Sequence, residues 1–457
     1  YLYQFIHRGT LARMSIGSRA IRELAENVQE ADWDPAGEEL AVVRWNPEGN
    51  YLEYPIGKRL AETRGYFSFP RFSPGGDAIA FFEHSIRWDN RGHLTIAGTD
   101  GTRIVSSEEW GGLEGLAWSG DEVWFTASKE GESYSLFAMK KDGSVRPIEK
   151  GPSNLMLHDI ADDGSVLLGS AIQQTDVYFD SPTAKGTELS WLHLIGIGDL
   201  SADGRAFLFT HFGAGSGKNY STYIRKTDGS PAVRLGEGRA LSLSPDGQFA
   251  IVKMSDPLGL RILPTGSGSA ATLPTEVLDR LETAKWFPKS NAKVILTGSE
   301  ANRPMRTFSL DLSSGGPVPI TPEGIVGVLL SPDERRLIAI DETGLQGVYS
   351  FDDQVFRPIN GLNHGERILR WNRAGNSIFV FNPLQLPIRI YQLHPLSGTR
   401  SLVSEIVPRS TSGLMGDVYL FLTPDGRSAI YGLRRYLIDL FEVDGLNKLQ
   451  RNPNGRN

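Results

Sequence analysis

The chain predicts an all-β propeller, and three observations carry that prediction. A ten-fold echo runs through the 457 residues: a bulky apolar residue, a small polar residue, Pro or Ala, Asp, Gly, then a short apolar strand. Successive copies start 39 to 51 residues apart, centred near about 42, the repeat length of a four-stranded blade. A second turn signal follows the first in constant order within each period, which favours blades over a sandwich or a β-helix.

The clear copies are Trp33–Gly37, Phe72–Gly76, Leu200–Gly204, Leu243–Gly247, Leu330–Glu334 and Leu422–Gly426, with weaker ones at Trp118, Ile160, Trp286 and Trp371. The stretch from Ile197 to about Gly238 shows the unit most plainly. Asp203 and Gly204 supply the side-chain acceptor and the positive φ of a tight turn. Ala206–Thr210 follows as a strand apolar on both faces, as expected where sheets flank it on either side. Tyr220–Arg225 is a third strand, Thr227-Asp-Gly229 the second turn, and Ala232–Leu235 the outer strand. The second turn recurs at Thr99–Gly101, Lys141–Gly143, Ser313–Gly316 and Ser397-Gly398.

Ring closure is read from the ends. The N-terminus offers strands at Tyr1–Ile6, Thr10–Ile16 and Ala20–Leu24 that lack an inner partner. The C-terminus offers Tyr419–Leu422, Ser428–Gly432 and Leu437–Val443, which lack an outer one. Blade ten could join both ends in one ten-bladed ring. The copy near Ile160 is irregular, however, with an insertion over Gln173–Thr187 and a strand-like run at Glu188–Leu194 that could complete the last blade of a six-copy set. The favoured division is therefore two tandem propellers: residues 1–187, about four and a half blades of a ring, and residues 188–457, a six-bladed ring.

Composition narrows the function classes. Net charge is −7 with acids and bases interspersed, so no basic stripe points to nucleic acid. No cysteine is present, which removes disulfides, thiol nucleophiles and thiolate metal sites and suits the periplasm or the cytoplasm. No apolar run reaches the roughly 18–20 residues of a membrane helix. The first residue is Tyr1, so the chain reads as a processed product or fragment, with any targeting or tethering segment upstream.

Motif checks give no catalytic signature. The Ser/Gly stretches at Gly213–Gly217 and Gly266–Ser269 lack the Gly-x-Ser-x-Gly nucleophile elbow. Gly217-Lys218 lacks the first Gly and the Ser/Thr of a phosphate loop. The eight histidines (His7, His84, His93, His158, His193, His211, His364, His394) show no two-His metal spacing. His158-Asp159 reads as a structural pair and Asp162-Asp-Gly164 as a blade turn. No cofactor and no metal are expected.

The Ser-Pro-Asp-Gly strand signature on blades of this length resembles the TolB-like propeller repeats of bacteria. Five stretches also resemble the C-terminal propeller region of bacterial eukaryote-like serine/threonine kinases, the acidobacterial type: Gly9–Arg13, Val28–Trp33, Leu52–Gly57, Arg225–Ala240 and Tyr436–Gly445. The resemblance covers essentially the whole chain. It implies a sensory or protein-binding module following a kinase domain, often across a membrane segment, and further blades upstream. The chain departs from that family in carrying no glycine-rich nucleotide loop, no His-Arg-Asp and no Asp-Phe-Gly.

One register remains for chemistry. Strand side chains alternate, so the residue before each motif's bulky residue points away from it. Those positions hold Asp32, Arg71, Ala117, Asp159, Asp199, Ser242, Lys285, Leu329, Arg370 and Phe421. The six charged ones, Asp32, Arg71, Asp159, Asp199, Lys285 and Arg370, are the candidate channel-lining, ligand-binding residues. The function expected is a non-catalytic ligand- or protein-binding sensor, extracytoplasmic, with a protein or peptide partner first and a small molecule second. A propeller lyase or glycosidase using the channel charges, and a pure scaffold, are the alternatives; a cytoplasmic location is the alternative compartment.

Overall fold

The computed structural model describes residues 8–446 apart from 46–48, 88, 130–132, 150–153, 214 and 314. The strand expected at Tyr1–Ile6 lies outside the described residues. The fold is an all-β propeller of antiparallel meander sheets. Among the described residues no helix is long and apolar enough to cross a membrane.

The chain divides into two compact units, Tyr1–Ile172 with Leu437–Asn457, and Gln173–Tyr436. The division falls inside two fifteen-residue strands, Val166–Asp180 and Ala429–Val443. Two separate strands, Ser428–Gly432 and Leu437–Val443, were expected where the second of these is continuous. Likewise Ala20–Leu24 is the first part of a long strand, Ile21–Trp33, that runs on into a motif's inner strand.

In the second unit, five four-stranded sheets span 195–237, 239–272, 280–319, 326–358 and 367–406, each running in sequence order. A further sheet sets Leu414–Leu422 innermost, then Ala429–Val443, then Val166–Asp180, with Thr187–Glu188 outside. Each innermost strand packs on the next, and Leu414–Leu422 packs on Ile195–Leu200, so the succession closes. In the first unit the inner strands Ile21–Trp33, Tyr66–Phe72, Gly112–Ser119 and Asn154–Ile160 pack one on the next.

A sheet flanked on both sides is apolar on both faces because each face meets another sheet. Ile251 packs with Leu281, Ala284 and Trp286 of the following sheet, while Val252 packs with Leu235 of the preceding one. The bulky motif residues fill these interfaces: Phe72, Trp118, Leu200, Leu243, Trp286, Leu330, Trp371 and Leu422 are all buried. Trp33 in the first copy differs, exposed and capped by the Arg13 guanidinium 5.1 Å from its ring.

The motif's small polar residue closes its turn. Ser201, Ser244 and Thr423 donate to the aspartate two residues on at 2.5–2.7 Å. Each hydroxyl also accepts the N–H five residues on, from Ala206, Phe249 and Ser428, at 3.0–3.1 Å. The bonds from Ser201 and Thr423 hold the Asp203 and Asp425 carboxyls below the ordinary aspartate value. Gly204, Gly247 and Gly426 take φ near 71–72°, and Glu334 takes φ 65° at the same place, a conformation costly for a non-glycine residue. Its carboxylate accepts the Lys289 N–H at 2.9 Å, which offsets part of that cost.

The second turn is an aspartate turn. Asp100, Asp142 and Asp228 each accept both the N–H and the hydroxyl of the Thr or Ser two residues on. Short polar side chains thus hold both hairpin ends of a sheet, while its faces are left to apolar packing.

Ser244→Ala should lower stability by about 1–2 kcal/mol, because it orphans the Phe249 N–H and frees Asp246. Ser244→Thr keeps the hydroxyl found at Thr423 and should leave the urea midpoint nearly unchanged; equal loss in both variants would contradict this account of the motif.

His84 sets a pH dependence. It is fully buried, stacked on Tyr66 with ring centroids 4.0 Å apart. Its Nδ1 lies 3.1 Å from the Arg91 carbonyl, an acceptor, so Nδ1 carries the proton and Nε2 accepts the Ser68 hydroxyl at 2.9 Å. Burial holds its pKa down from 6.5 to about 4. The unfolded chain therefore binds a proton first as pH falls. Up to about 3 kcal/mol of stability, present above pH 6.5, should be lost as pH falls towards 4. Denaturant titrations at pH 7 and pH 4.5 on the wild type and on His84→Gln should show a steeper loss in the wild type.

Candidate functional site

Every innermost strand carries a β-bulge a few residues before its motif. The register skips at Gln29, Gly115, His158, Gly198, Leu241, Glu282 and Leu369, and across two or more residues in the strands ending at Phe72, Leu330 and Leu422. A bulge leaves a backbone N–H outside its own ladder, and an inner strand is also an edge strand, with alternate N–H groups facing away from its neighbour; Ile21–Trp33 is an edge only beyond Val28, since Gly9–Met14 pairs with its first part. Unpaired, these buried groups would be costly.

Side chains of the preceding sheet satisfy them. Thr126 Oγ1 accepts the Leu157 N–H at 3.3 Å, Thr210 Oγ1 that of Ala240 at 2.9 Å, and Thr307 Oγ1 that of Gly327 at 3.0 Å. All three threonines are buried. At Gly198 a Cβ would stand 2.8 Å from Ala240 of the next inner strand, so only glycine allows the approach.

The charged residues before the motifs belong to this system. Asp32 Oδ2 accepts the Phe72 N–H of the next sheet at 2.9 Å, and Asp199 Oδ2 accepts that of Leu243 at 2.9 Å. Arg370 donates through Nη1 to the Leu422 carbonyl of the next sheet at 2.6 Å, while its buried Nε has no partner. In a sheet flanked on both faces, a side chain turned away from one neighbour meets the other neighbour. Asp32, Asp199 and Arg370 accordingly bridge inner strands.

The other three behave differently. Arg71 donates to the Pro70 carbonyl at 2.8 Å, and its own carbonyl accepts Trp118 Nε1 at 3.0 Å. Asp159 is exposed and accepts the Ile160 N–H at 2.9 Å. Lys285 is half-buried, opposite Ile295 in register. The structure brings Asp32, Arg71 and Asp159 within electrostatic reach: burial pushes the Asp32 carboxyl up, Arg71 opposes that shift and Asp159 adds to it. Asp199 and Asp425 form the corresponding surroundings of Arg370, whose pKa burial draws down. Lys285 joins neither group.

Two further acceptors lie away from the residue that precedes each motif. Asn50, fully buried, accepts the Phe67 N–H at 2.7 Å, and Glu30 accepts that of Phe69 at 2.7 Å. Burial pushes the Glu30 carboxyl up against that bond. With Asp32 these make three carboxylate or amide acceptors along one inner edge. A polar residue within otherwise apolar strands, Glu30 on the inner strand or Asn50 two strands further out, was the available signal. Among the described residues no three His, Cys, Asp or Glu side chains converge to hold a metal.

No protein-family model matches the chain, and no curated protein matches it. Among solved structures it is similar to a protein from Agrobacterium tumefaciens described as TolB, at 18% identity and a TM-score of 0.42, covering 59% of this chain and 99% of that one. An oligogalacturonate lyase from Vibrio parahaemolyticus aligns at 15% identity and a TM-score of 0.37, covering 60% and 76%. The β-propeller domain of the Trilobed protease from Pyrococcus furiosus aligns at 12% identity and a TM-score of 0.23, covering 70% and 92%.

Replacing Asp199 with alanine should leave the Leu243 N–H unpaired and remove the counter-charge near Arg370. A loss of about 1–3 kcal/mol in urea unfolding is expected. An unchanged midpoint would show that the bridge carries no stability.

Proposed function

We propose that the chain is a non-catalytic binding module that presents a rigid loop-bearing face to a protein or peptide partner. The observation that carries this reading is the engagement of Asp32, Asp199 and Arg370 with neighbouring backbone. Acid–base chemistry needs a side chain free to reach a substrate atom, and these three are committed to holding inner strands together. The closed succession of inner strands in the second unit supports reading it as a six-bladed ring, with the last sheet built from both ends of that unit. The four packed inner strands of the first unit support reading it as part of a second ring. The resemblance to kinase-associated propellers supports an extracytoplasmic input role in signalling.

The competing reading is an enzyme working through the inner-strand charges, and turnover separates the two. The full chain, incubated with polygalacturonate and with chromogenic peptides, is expected to yield no unsaturated uronate and no cleavage product above buffer. Selection from a displayed peptide library is expected to return ligands of about micromolar affinity. Product formation that Asp32→Asn or Asp199→Asn abolishes without unfolding the chain would overturn the proposal.

A further inference from the structure

The second unit holds a cluster of cations that its own carboxylates do not balance. Arg239 opens the inner strand Arg239–Leu243 and stands directly opposite Lys253 in the ladder. Lys253 shares a strand face with Ile251, which packs against Leu281 and Trp286 of the following sheet. That sheet's inner strand, Arg280–Trp286, packs on the strand of Lys253 and brings Arg280 and Glu282 within its electrostatic reach. Arg280 Nε donates to Glu282 Oε1 at 2.9 Å.

Three cations thus share one carboxylate, already held by Arg280. Neither Arg239 nor Lys253 has an ion-pair or hydrogen-bond partner among the described residues, and Lys253 is half-buried. Burial draws the Lys253 pKa below the ordinary lysine value; Glu282 opposes this, and Arg239 and Arg280 add to it. A half-buried, unpartnered ammonium between the exposed Arg239 and the half-buried Arg280 is unfavourable in the free protein. A bound anion would remove that cost.

We propose that Arg239, Lys253 and Arg280 form a carboxylate-binding site between these two sheets. Guanidinium forks match a carboxylate in two-point geometry, and the ammonium adds a third donor. Glu282 selects the charge type, because its own negative charge repels a phosphate dianion more than a single carboxylate. The carboxylate could come from a small organic acid or from the side chains of an acidic peptide. The cluster does not depend on the binding-module reading, since an enzyme could carry the same site.

Calorimetric titration of the full chain with glutarate, with an amidated hexaglutamate peptide and with inorganic phosphate provides the test. At least one carboxylate probe should bind, and more tightly than phosphate. Tighter binding of the peptide than of glutarate assigns the site to an acidic segment, and comparable binding per carboxylate assigns it to a small acid. Lys253→Met and Arg239→Gln should each weaken that binding by about tenfold, the loss of one charge-assisted bond. Arg389→Gln, at an exposed arginine bonded to Glu405 in the same unit, should leave it unchanged. Without ligand, Lys253→Met should also raise the thermal midpoint by removing the uncompensated cation. Failure of both carboxylates to bind, phosphate binding as tightly, binding indifferent to both variants, or a lowered midpoint in Lys253→Met would each overturn the proposal.

Discussion

The structure depends on one recurring interaction: a side chain of one sheet accepting or donating a hydrogen bond at the inner edge of the next. A meander sheet satisfies its own backbone everywhere except at its edges, and the innermost strand is an edge pressed against its neighbours. Apolar packing can bring such strands together but cannot satisfy their N–H groups. Thr126, Thr210 and Thr307 do so at the bulges, and Asp32, Asp199, Glu30 and Asn50 do so beside them. Where Phe421 stands at the corresponding position, the last sheet of the second unit joins the first through apolar contact with Ile197 and Leu200, and Thr175 donates its hydroxyl to the Ile195 carbonyl at 2.9 Å.

That interaction explains which polar residues the inner strands tolerate. A carboxylate among packed aromatics is costly when isolated, yet Asp199 accepts both its own neighbour's N–H and that of the next sheet. Asp32, Asp199 and Arg370 are consequently committed to architecture. In the proposed reading, recognition falls to charge that architecture does not use, such as Arg239 and Lys253, and to loops between strands.

The repeat was legible because its physics is local. The Ser-x-Asp-Gly turn and the Asp-Gly-Ser turn are closed by side chains within five residues of one another, so a single pattern recurs wherever a sheet turns. The long strands Val166–Asp180 and Ala429–Val443 were harder to read, since no turn residue marks the point where each passes from one unit to the other. The direction of Asp32 and Asp199 was not legible from alternation alone. Two-fold periodicity says which residues share a face, and only the flanking sheets determine what that face meets. Lys253 escaped notice for a related reason: it, Arg239 and Arg280 lie on three different strands in two sheets, and no spacing along the chain brings them together.

Native-state amide hydrogen exchange on the full chain tests the central claim most directly. If inter-sheet bonds secure the inner edges, the amides of Ala240, Leu243 and Gly327 should exchange as slowly as that of Ile251 in mid-sheet, through cooperative opening of the unit. Exchange of those three amides at the rate of exposed turn amides, with Ile251 still protected, would contradict it.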